Sequence, residues 1–354
     1  MTQNTEKLLF SSDYMEGAHP AVLDALSRTN LVSTEGYGED AYCRDAQRRI
    51  LEACSLPDGE VRFLIGGTQT NQFVIDCLLP PCSGVLCPSS GHIAVHEAGA
   101  IEYCGHKTLP LPTVEGKITA ASIRQYTADA RADANWEHMV MPGMVYISQP
   151  TEYGTLYSLK ELEEISSVCI EYGLPLFVDG ARLAYALAAP ENDVTLADLG
   201  RLCDVFYIGG TKCGLLFGEA VIFTRRGMVP RLTGQIKQHG ALLAKGRLLG
   251  VQFQALFTDH LYEQIGETAI RCAARIREKL LAKGFELSVN SPTNQIFFAI
   301  DNSLLDPLSG KVSYGFMEKI DDHRSMIRFC TSWSTTEEKT DALLSVIDQM
   351  DTQR

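Results

Sequence analysis

Short apolar runs alternate with helix-period segments from about Gly17 to Arg226. That rhythm is the βαβ pattern of a mostly parallel sheet covered on both faces. The runs predict strands at Val61–Ile65, Gly84–Cys87, Met144–Ser148, Pro175–Val178, Val205–Ile208 and Ala220–Phe223. Helices are expected at Tyr42–Cys54, Thr68–Leu79 and Leu159–Tyr172. After Arg226 the pattern changes to a long, mainly helical segment, Gly240–Ala282, then strands at Gln295–Ile300 and Met326–Cys330 and a final helix Glu337–Met350. This predicts an α/β chain with a large domain over 17–240 and a smaller α/β domain from 1–16 plus 241–354. No repeat or Pro/Gly/Ser linker separates the two.

Composition narrows the function. The 354 residues, 45% hydrophobic and 21% charged, exceed the ~250–300 at which single cores stop growing. Forty-four acidic against 31 basic side chains give a net charge of -13, which repels nucleic-acid phosphates and anionic lipid. Small-molecule chemistry is therefore expected, with no nucleic-acid or membrane partner. The opening MTQNTEKLLF has too short an apolar run for a secretory signal, and no run of ~18 apolar residues occurs, so a soluble, cytoplasmic protein is expected. Eleven cysteines, scattered and never spaced C-x-x-C, read as reduced and mostly buried thiols.

In an open parallel sheet, ligands sit outside the carboxyl ends of the strands. Polar residues follow four apolar runs there: Gly66-Gly67-Thr68-Gln69-Thr70-Asn71, Gln149-Pro150-Thr151-Glu152, Asp179-Gly180-Ala181-Arg182 and Gly209-Gly210-Thr211-Lys212. The first leads into a helix, whose free N–H groups and dipole favour an anion such as phosphate; plain turn and capping chemistry would give the same residues. It matches neither G-x-G-x-x-G nor G-x-x-x-x-G-K-[ST], so the dinucleotide and nucleotide-triphosphate fingerprints are absent.

Asp179 ends a very apolar strand, where a carboxylate needs a cationic neighbour. A protonated ring nitrogen would serve; so would Arg182 in a structural ion pair. Lys212, flanked by Gly209, Gly210 and Gly214, reads either as a buried amine nucleophile or as a snorkelling strand-end lysine. The two residues are 33 apart, enough for one crossover that brings them to the same sheet edge. His92 reads as a group stacked on a flat ring, or as a core histidine. A zinc pair with His96 is disfavoured because Ile93 stands where a zincin helix has glutamate, and no metal is expected. Arg182 and Arg328, the latter in the apolar run Ile327-Arg328-Phe329, suit bidentate carboxylate binding or a structural bridge.

Taken in order, Phe10-Ser11-Ser12-Asp13, Gly36-Tyr37-Gly38-Glu39-Asp40, Gly67-Thr68-Gln69-Thr70-Asn71, His92 with Glu97-Ala98-Gly99, Asp179-Gly180-Ala181-Arg182, Thr211-Lys212, Lys245 and Arg328-Phe329-Cys330-Thr331 resemble the threonine aldolases of the aspartate-aminotransferase fold, nearly end to end and nearest the phenylserine-aldolase-like branch. The resemblance implies a pyridoxal 5'-phosphate (PLP) enzyme of fold type I. Lys212 would hold the cofactor as a Schiff base, Asp179 would bind its ring nitrogen and His92 would stack on the ring. Gly67, Thr68 and the backbone near Thr211 would hold the phosphate, with Arg182 in the cofactor site and Lys245 contributing from a neighbouring subunit. Ser12, Arg182 and Arg328 would take the substrate carboxylate, and Tyr37 would enter across the interface of a homodimer or homotetramer. The implied reaction is retro-aldol cleavage of L-threonine, L-allo-threonine or phenylserine to glycine and an aldehyde, with a β-eliminating lyase or aminotransferase as the alternative. Where low-specificity members carry Thr-His-Asn-Gly, this chain has Thr151-Glu152-Tyr153-Gly154, so Glu152, His92 or a water between them is the expected base.

Overall fold

A computed structural model gives the fold and describes residues 7–350; most of the opening segment read for an export signal lies outside that range. The strands are β1 (Leu8–Leu9), β2 (Glu60–Leu64), β3 (Ser83–Pro88), β4 (Lys107–Leu111), β5 (Met141–Ser148), β6 (Leu176–Asp179), β7 (Val205–Gly209), β8 (Glu219–Phe223), β9 (Gln295–Asp301), β10 (Val312–Ser313), β11 (Gly315–Lys319) and β12 (Arg324–Cys330). Seven form one sheet in the order β2-β8-β7-β6-β5-β3-β4. Only β8 runs against its neighbours; the pairs from β7 through to β4 are parallel.

The central strands are buried on both faces, which is why their sequences are continuous apolar runs rather than alternating ones. Period-2 geometry still sorts the side chains. Val145, Ile147, Leu176, Val178, Phe206 and Ile208 enter the core on one face. Met144, Tyr146, Phe177, Val205 and Tyr207 enter the core on the other, together with Phe73, Val74 and Ile75 of the helix Gly67–Leu78. By the same parity, Asp179 faces this second side.

The helix Leu159–Tyr172 falls where its pattern predicts. Ser158 and Glu161 form a reciprocal capping box, and Gly173 ends the helix at φ 67°, so both boundaries are fixed by local chemistry. The expected helical segment Gly240–Ala282 is broken into Arg247–Leu256, Leu261–Gln264 and Glu267–Ala282. Asp259 and His260 adopt left-handed φ values of 51° and 58° there. Four strands escaped prediction, β1 and β10 because two residues carry no period, and β4 and β11 because of their place in a sheet. β4, Lys-Thr-Leu-Pro-Leu, is an edge strand, where a proline such as Pro110 is accommodated. β11 is a bulged edge strand with largely exposed side chains.

A second, antiparallel sheet, β11-β12-β9, packs its inner face with Phe10, Ala273, Ile276, Leu280, Leu343 and Ile347. Phe253, Leu256, Ala269 and Ile270 belong instead to the large-sheet core. We therefore propose that the lobes divide within the helix Glu267–Ala282 rather than near residue 240. No helix among the described residues is long and apolar enough to cross a membrane. The eleven cysteines are free, and most are buried.

The helix Arg247–Leu256 lies so close to the helix Ala41–Ala53 that a Cβ added at Gly250 would fall 2.6 Å from the Cys43 nitrogen and 2.7 Å from its Cα. Backbone cannot yield as a flexible side chain does. Gly250→Ala is expected to lower unfolding free energy by about 1–3 kcal/mol, read as a lower urea midpoint; an unchanged midpoint would contradict this packing.

Candidate active site

The carboxyl ends of β2, β3, β5, β6 and β7 converge on one edge of the sheet, and the reversed direction of β8 brings its first residue, Glu219, to the same edge opposite Gly209 and Leu64. A 310 Å³ cleft there is lined by Gly66, Gly67, Thr68, Asn71, His92, Ser148, Thr151, Glu152, Asp179, Arg182, Tyr207, Thr211, Lys212 and Glu219. A second cleft of 750 Å³ shares Tyr14, His92, Glu152, Arg182 and Lys212 and extends to Phe316, Met326 and Arg328 of the small lobe. The four polar loops picked out in the sequence therefore meet at one site.

Asp179 lies at its floor, 5% exposed. Register pairs it with Ser148 on β5, and the β6–β7 pairing, which runs to Val178 and Phe206, leaves Tyr207 next in line beside it. Tyr207 donates to its Oδ1 at 2.5 Å and the Ala181 N–H at 2.9 Å, while Tyr146 donates to Oδ2 at 2.7 Å and Asn71 at 3.1 Å. Burial alone would raise its pKa, but these donors, with His92 nearby, hold it below the usual value. Its charge is thus stabilised without Arg182, which is turned elsewhere.

Arg182 grips Asp13 through both arms of its fork, Nε to Oδ2 at 2.6 Å and Nη2 to Oδ1 at 3.1 Å. Asn294 adds a donor to the same carboxylate at 2.9 Å. Burial opposes the Asp13 charge, yet Arg182 and Lys212 bring its pKa down to about 2. This pair occupies Nε and Nη2 of Arg182 and forms the structural bridge that is one of the two readings of this residue. Arg328 donates to Gln295 Oε1 at 2.7 Å and to the Ser11 carbonyl at 3.0 Å, and its buried Nε has no partner. The segment Ser11–Asp13 thus bridges the two arginines, with the Ser12 hydroxyl buried and unpartnered.

No hydrogen bond or ion pair holds the Lys212 amine among the described residues, while the Tyr185 hydroxyl fixes the Lys212 carbonyl at 2.6 Å. Gly67 and Thr68 begin the helix Gly67–Leu78, whose N-cap, Gly66, offers no side-chain acceptor; all three residues line the cleft. Thr211 lines the cleft too, but its N–H is committed to the Gly218 carbonyl at 3.1 Å and its hydroxyl to Glu219 at 2.8 Å. Its free donors are gone.

His92 Nδ1 lies 2.7 Å from Glu97 Oε1, which also accepts from Asn71 at 2.8 Å. The His92 backbone N–H donates to Glu152 Oε1 at 2.9 Å, and the Ser148 hydroxyl does so at 2.8 Å. Glu152 Oε2 is buried and without a partner. Burial raises the Glu152 pKa; Ser148 and the two N–H groups counteract it, and the Asp179 charge adds to the rise. Tyr37 and Lys245 line neither cleft of this chain. They adjoin one another elsewhere, where the Tyr37 N–H donates to the Ala244 carbonyl at 3.0 Å.

The profile of the beta-eliminating lyase family matches residues 10–302. A low specificity L-threonine aldolase of Pseudomonas aeruginosa is 32% identical over 346 residues, 96% of each chain. The chain belongs to this family, among its threonine aldolases. A threonine aldolase of Leishmania major superposes with a TM-score of 0.93 at 43% identity, over 96% of this chain and 98% of that one. An aspartate aminotransferase of Thermus thermophilus, 14% identical with a TM-score of 0.71 over 97% of this chain and 91% of the other, shares the fold alone. The expected fold type I architecture is therefore the observed one.

Among the residues that build this threonine aldolase cleft and were not singled out by sequence reasoning are Tyr207 and Glu219, which line it, and Tyr146, which supports Asp179 from below. Tyr146 and Tyr207 hide within apolar strands, and only strand parity relative to Asp179 marks them. Glu219 opens an apolar run, and its place at the site depends on the reversal of β8, which the run itself does not encode. Burial pushes the Glu219 pKa up to about 8, against the donors Thr211 and Gly210 N–H and the nearby Lys212 charge.

The sign of the resulting pH dependence follows. Between the ordinary value of 4.5 and about 8, the folded state keeps a proton that the unfolded state has lost, so stability falls as pH rises through this window and levels off above it. The slope approaches ~1.4 kcal/mol per pH unit. Asp13 acts oppositely: its stabilisation is complete above 3.8 and is lost as pH falls through about 2. Urea titrations across the upper window are expected to show a shallower pH slope in Glu219→Gln than in the wild type. Equal slopes would rule out a buried neutral Glu219.

Proposed function

We propose that the cleft binds PLP and uses it for retro-aldol cleavage of β-hydroxy-α-amino acids such as L-threonine, L-allo-threonine or phenylserine, giving glycine and an aldehyde. The carrying observation is the convergence of an untethered Lys212 amine, the buried Asp179 carboxylate and the helix N-terminus at Gly67 on one cleft. Buried polar atoms without partners also gather at or beside it: Ser12 Oγ, Asn71 Oδ1, Glu97 Oε2, Glu152 Oε2 and Arg328 Nε. Such a cluster suits a site completed by a ligand.

The residues fit the cofactor. Lys212 would hold it covalently, Gly67 and Thr68 would donate to its phosphate, His92 would lie against its ring and Asp179 would face the ring nitrogen. Asp179 already accepts four hydrogen bonds, which fills a carboxylate, so a ring N–H takes the place of one donor. Asn71, the longest of the four and shared with Glu97, is the one most easily released. Tyr37 and Lys245 would reach the cleft of a neighbouring subunit in a homodimer or homotetramer. When bound, the cofactor supplies an electron sink for the bond broken at Cα.

The chain's own side chains do the rest. Arg328, with the Ser12 hydroxyl, binds the substrate carboxylate; Arg182, already paired to Asp13, adds positive potential and holds the Ser11–Asp13 segment in place. Glu152 Oε1 is fixed by His92 N–H and Ser148, which leaves Oε2 to take the β-hydroxyl proton. As that O–H bond breaks, the carbonyl forms, the Cα–Cβ bond breaks and the aldehyde leaves. A proton delivered to Cα completes glycine. A carboxylate whose pKa is raised by burial is better matched to a general base near neutrality than an exposed one.

Wild-type protein given PLP is expected to gain a visible absorption band that borohydride removes, and Lys212→Ala to lack it; a band of equal strength in that variant would overturn the attachment. Glu152→Gln is expected to keep the band but lose about 100- to 10,000-fold in kcat for glycine release. The acid limb of the wild-type kcat profile should lie above the usual carboxylate range, because the base must be ionised and its pKa is raised. Absence of glycine with all three substrates, alongside amino transfer to a keto acid or β-elimination, would replace the aldolase reading by one of those reactions.

A further inference from the structure

Asp76, Cys104 and His239 meet at the far end of the helix Gly67–Leu78 from the cleft, their ligand atoms all within 4.8 Å of one another. They come from three distant segments: the last turn of that helix, the cap of the short helix Ala100–Tyr103 and the cap of the helix Leu232–Gln238. His239 Nε2 lies 2.8 Å from Asp76 Oδ2, and His106 Nε2 lies 3.6 Å from Asp76 Oδ1. The neighbouring Cys77 is close enough for the Asp76 and Cys104 charges to act on it.

The tautomer of His106 is the informative detail. Its Nδ1 faces the Ser83 carbonyl at 3.1 Å, and toward a carbonyl it can only donate. A neutral His106 therefore presents an Nε2 lone pair to the Asp76 carboxylate, with a second imidazole and a thiol beside it. Acceptors facing acceptors call for protons or a cation between them. A ring nitrogen oriented by a backbone carbonyl on its other side is also how metal-binding histidines are held. The plain alternative is hydrogen bonding to Asp76 alone, which a neutral His239 can make through its Nε2–H and which His106 can join only when protonated; Cys104 takes no part in it.

We propose that Asp76, Cys104 and His239 form a zinc site outside the catalytic cleft, with His106, 3.6 Å from Asp76, able to turn in as a fourth ligand. The mixed sulfur, nitrogen and oxygen set suits zinc and not the oxygen-seeking calcium or magnesium. Bond lengths of ~2.0–2.3 Å put tetrahedral ligand atoms ~3.5 Å apart, so side-chain shifts of about an ångström bring Asp76, Cys104 and His239 to that spacing. Binding replaces the Cys104 S–H by an S–Zn bond and releases the proton to solvent. The side chains of His106 and His239 are 7% and 10% exposed and that of Asp76 33%, which leaves the ion a route in. The site would staple the helix carrying Gly67, Thr68 and Asn71 to the edge strand β4 and to the helix Leu232–Gln238.

Zinc titration of the full-length protein, followed by calorimetry and elemental analysis, is expected to give one ion per chain. Cys104→Ser and His239→Ala should each weaken binding at least about 100-fold, whereas Lys212→Ala should leave it unchanged and so exclude binding in the cleft. Cobalt offers a readout independent of variants: the wild type should show a near-ultraviolet thiolate-to-cobalt band. Less than one ion per chain, equal affinity in the two ligand variants, or a cobalt spectrum without the thiolate band would each overturn the proposal.

Discussion

The site is organised around one buried anion, the Asp179 carboxylate. An isolated charge at the end of an apolar strand is costly, and here the cost is met by neutral donors fixed in the fold: two tyrosine hydroxyls, an asparagine amide and a backbone N–H. Each donor is delivered by regular structure. Register sets Tyr207 beside Asp179, parity turns Tyr146 to the same face, and the helix that packs on that face brings Asn71. The apolar strands that look like mere core in the sequence are therefore also the scaffold of the charge.

The same burial drives neighbouring carboxyls the other way. Glu152 and Glu219 are enclosed as Asp179 is, but with fewer donors, and both are pushed up while Asp179 is held down. Different pKa values in one cleft arise from the count of hydrogen bonds rather than from depth, and a site so built can keep a permanent anion beside an acid that changes protonation near neutrality. Asp13 shows the third solution, direct pairing with Arg182. Buried ion pairs are weak evidence for stability; this one is better understood as fixing the Ser11–Asp13 segment between two arginines.

What could be read from the sequence follows from which constraints are local. The strand ends at Leu64, Ser148, Asp179 and Gly209, each within one residue of its predicted place, and the four polar loops that follow them are local features, and each was legible. Pro110 obscured β4 because a proline argues against a strand except at an edge, and edge position is a property of the assembled sheet. Glu219 depended on the direction of β8, and the Arg182–Asp13 pair joins residues 169 apart. Tyr37 and Lys245 carry a resemblance to the family, yet nothing within one chain brings them to the cleft.

The division of labour between the lobes follows from these placements. Lys212, Asp179 and the Gly67 turn all come from the large sheet, so the side of the cleft that would hold a ring and phosphate is built on one rigid body. Arg328 comes from β12 of the small sheet, and Ser11–Asp13 comes from a segment whose Phe10 is buried in the small-lobe core. The side proposed to take a substrate carboxylate is thus carried by the small lobe and tied to the large one through Arg182. Glu152 belongs to the large lobe but touches both, since Gln295 of β9 donates to its carbonyl at 3.4 Å. Its carboxyl lines both clefts, between Lys212 and Asp179 of the large lobe and the small-lobe residues around Arg328, a placement that fits the base proposed for the β-hydroxyl.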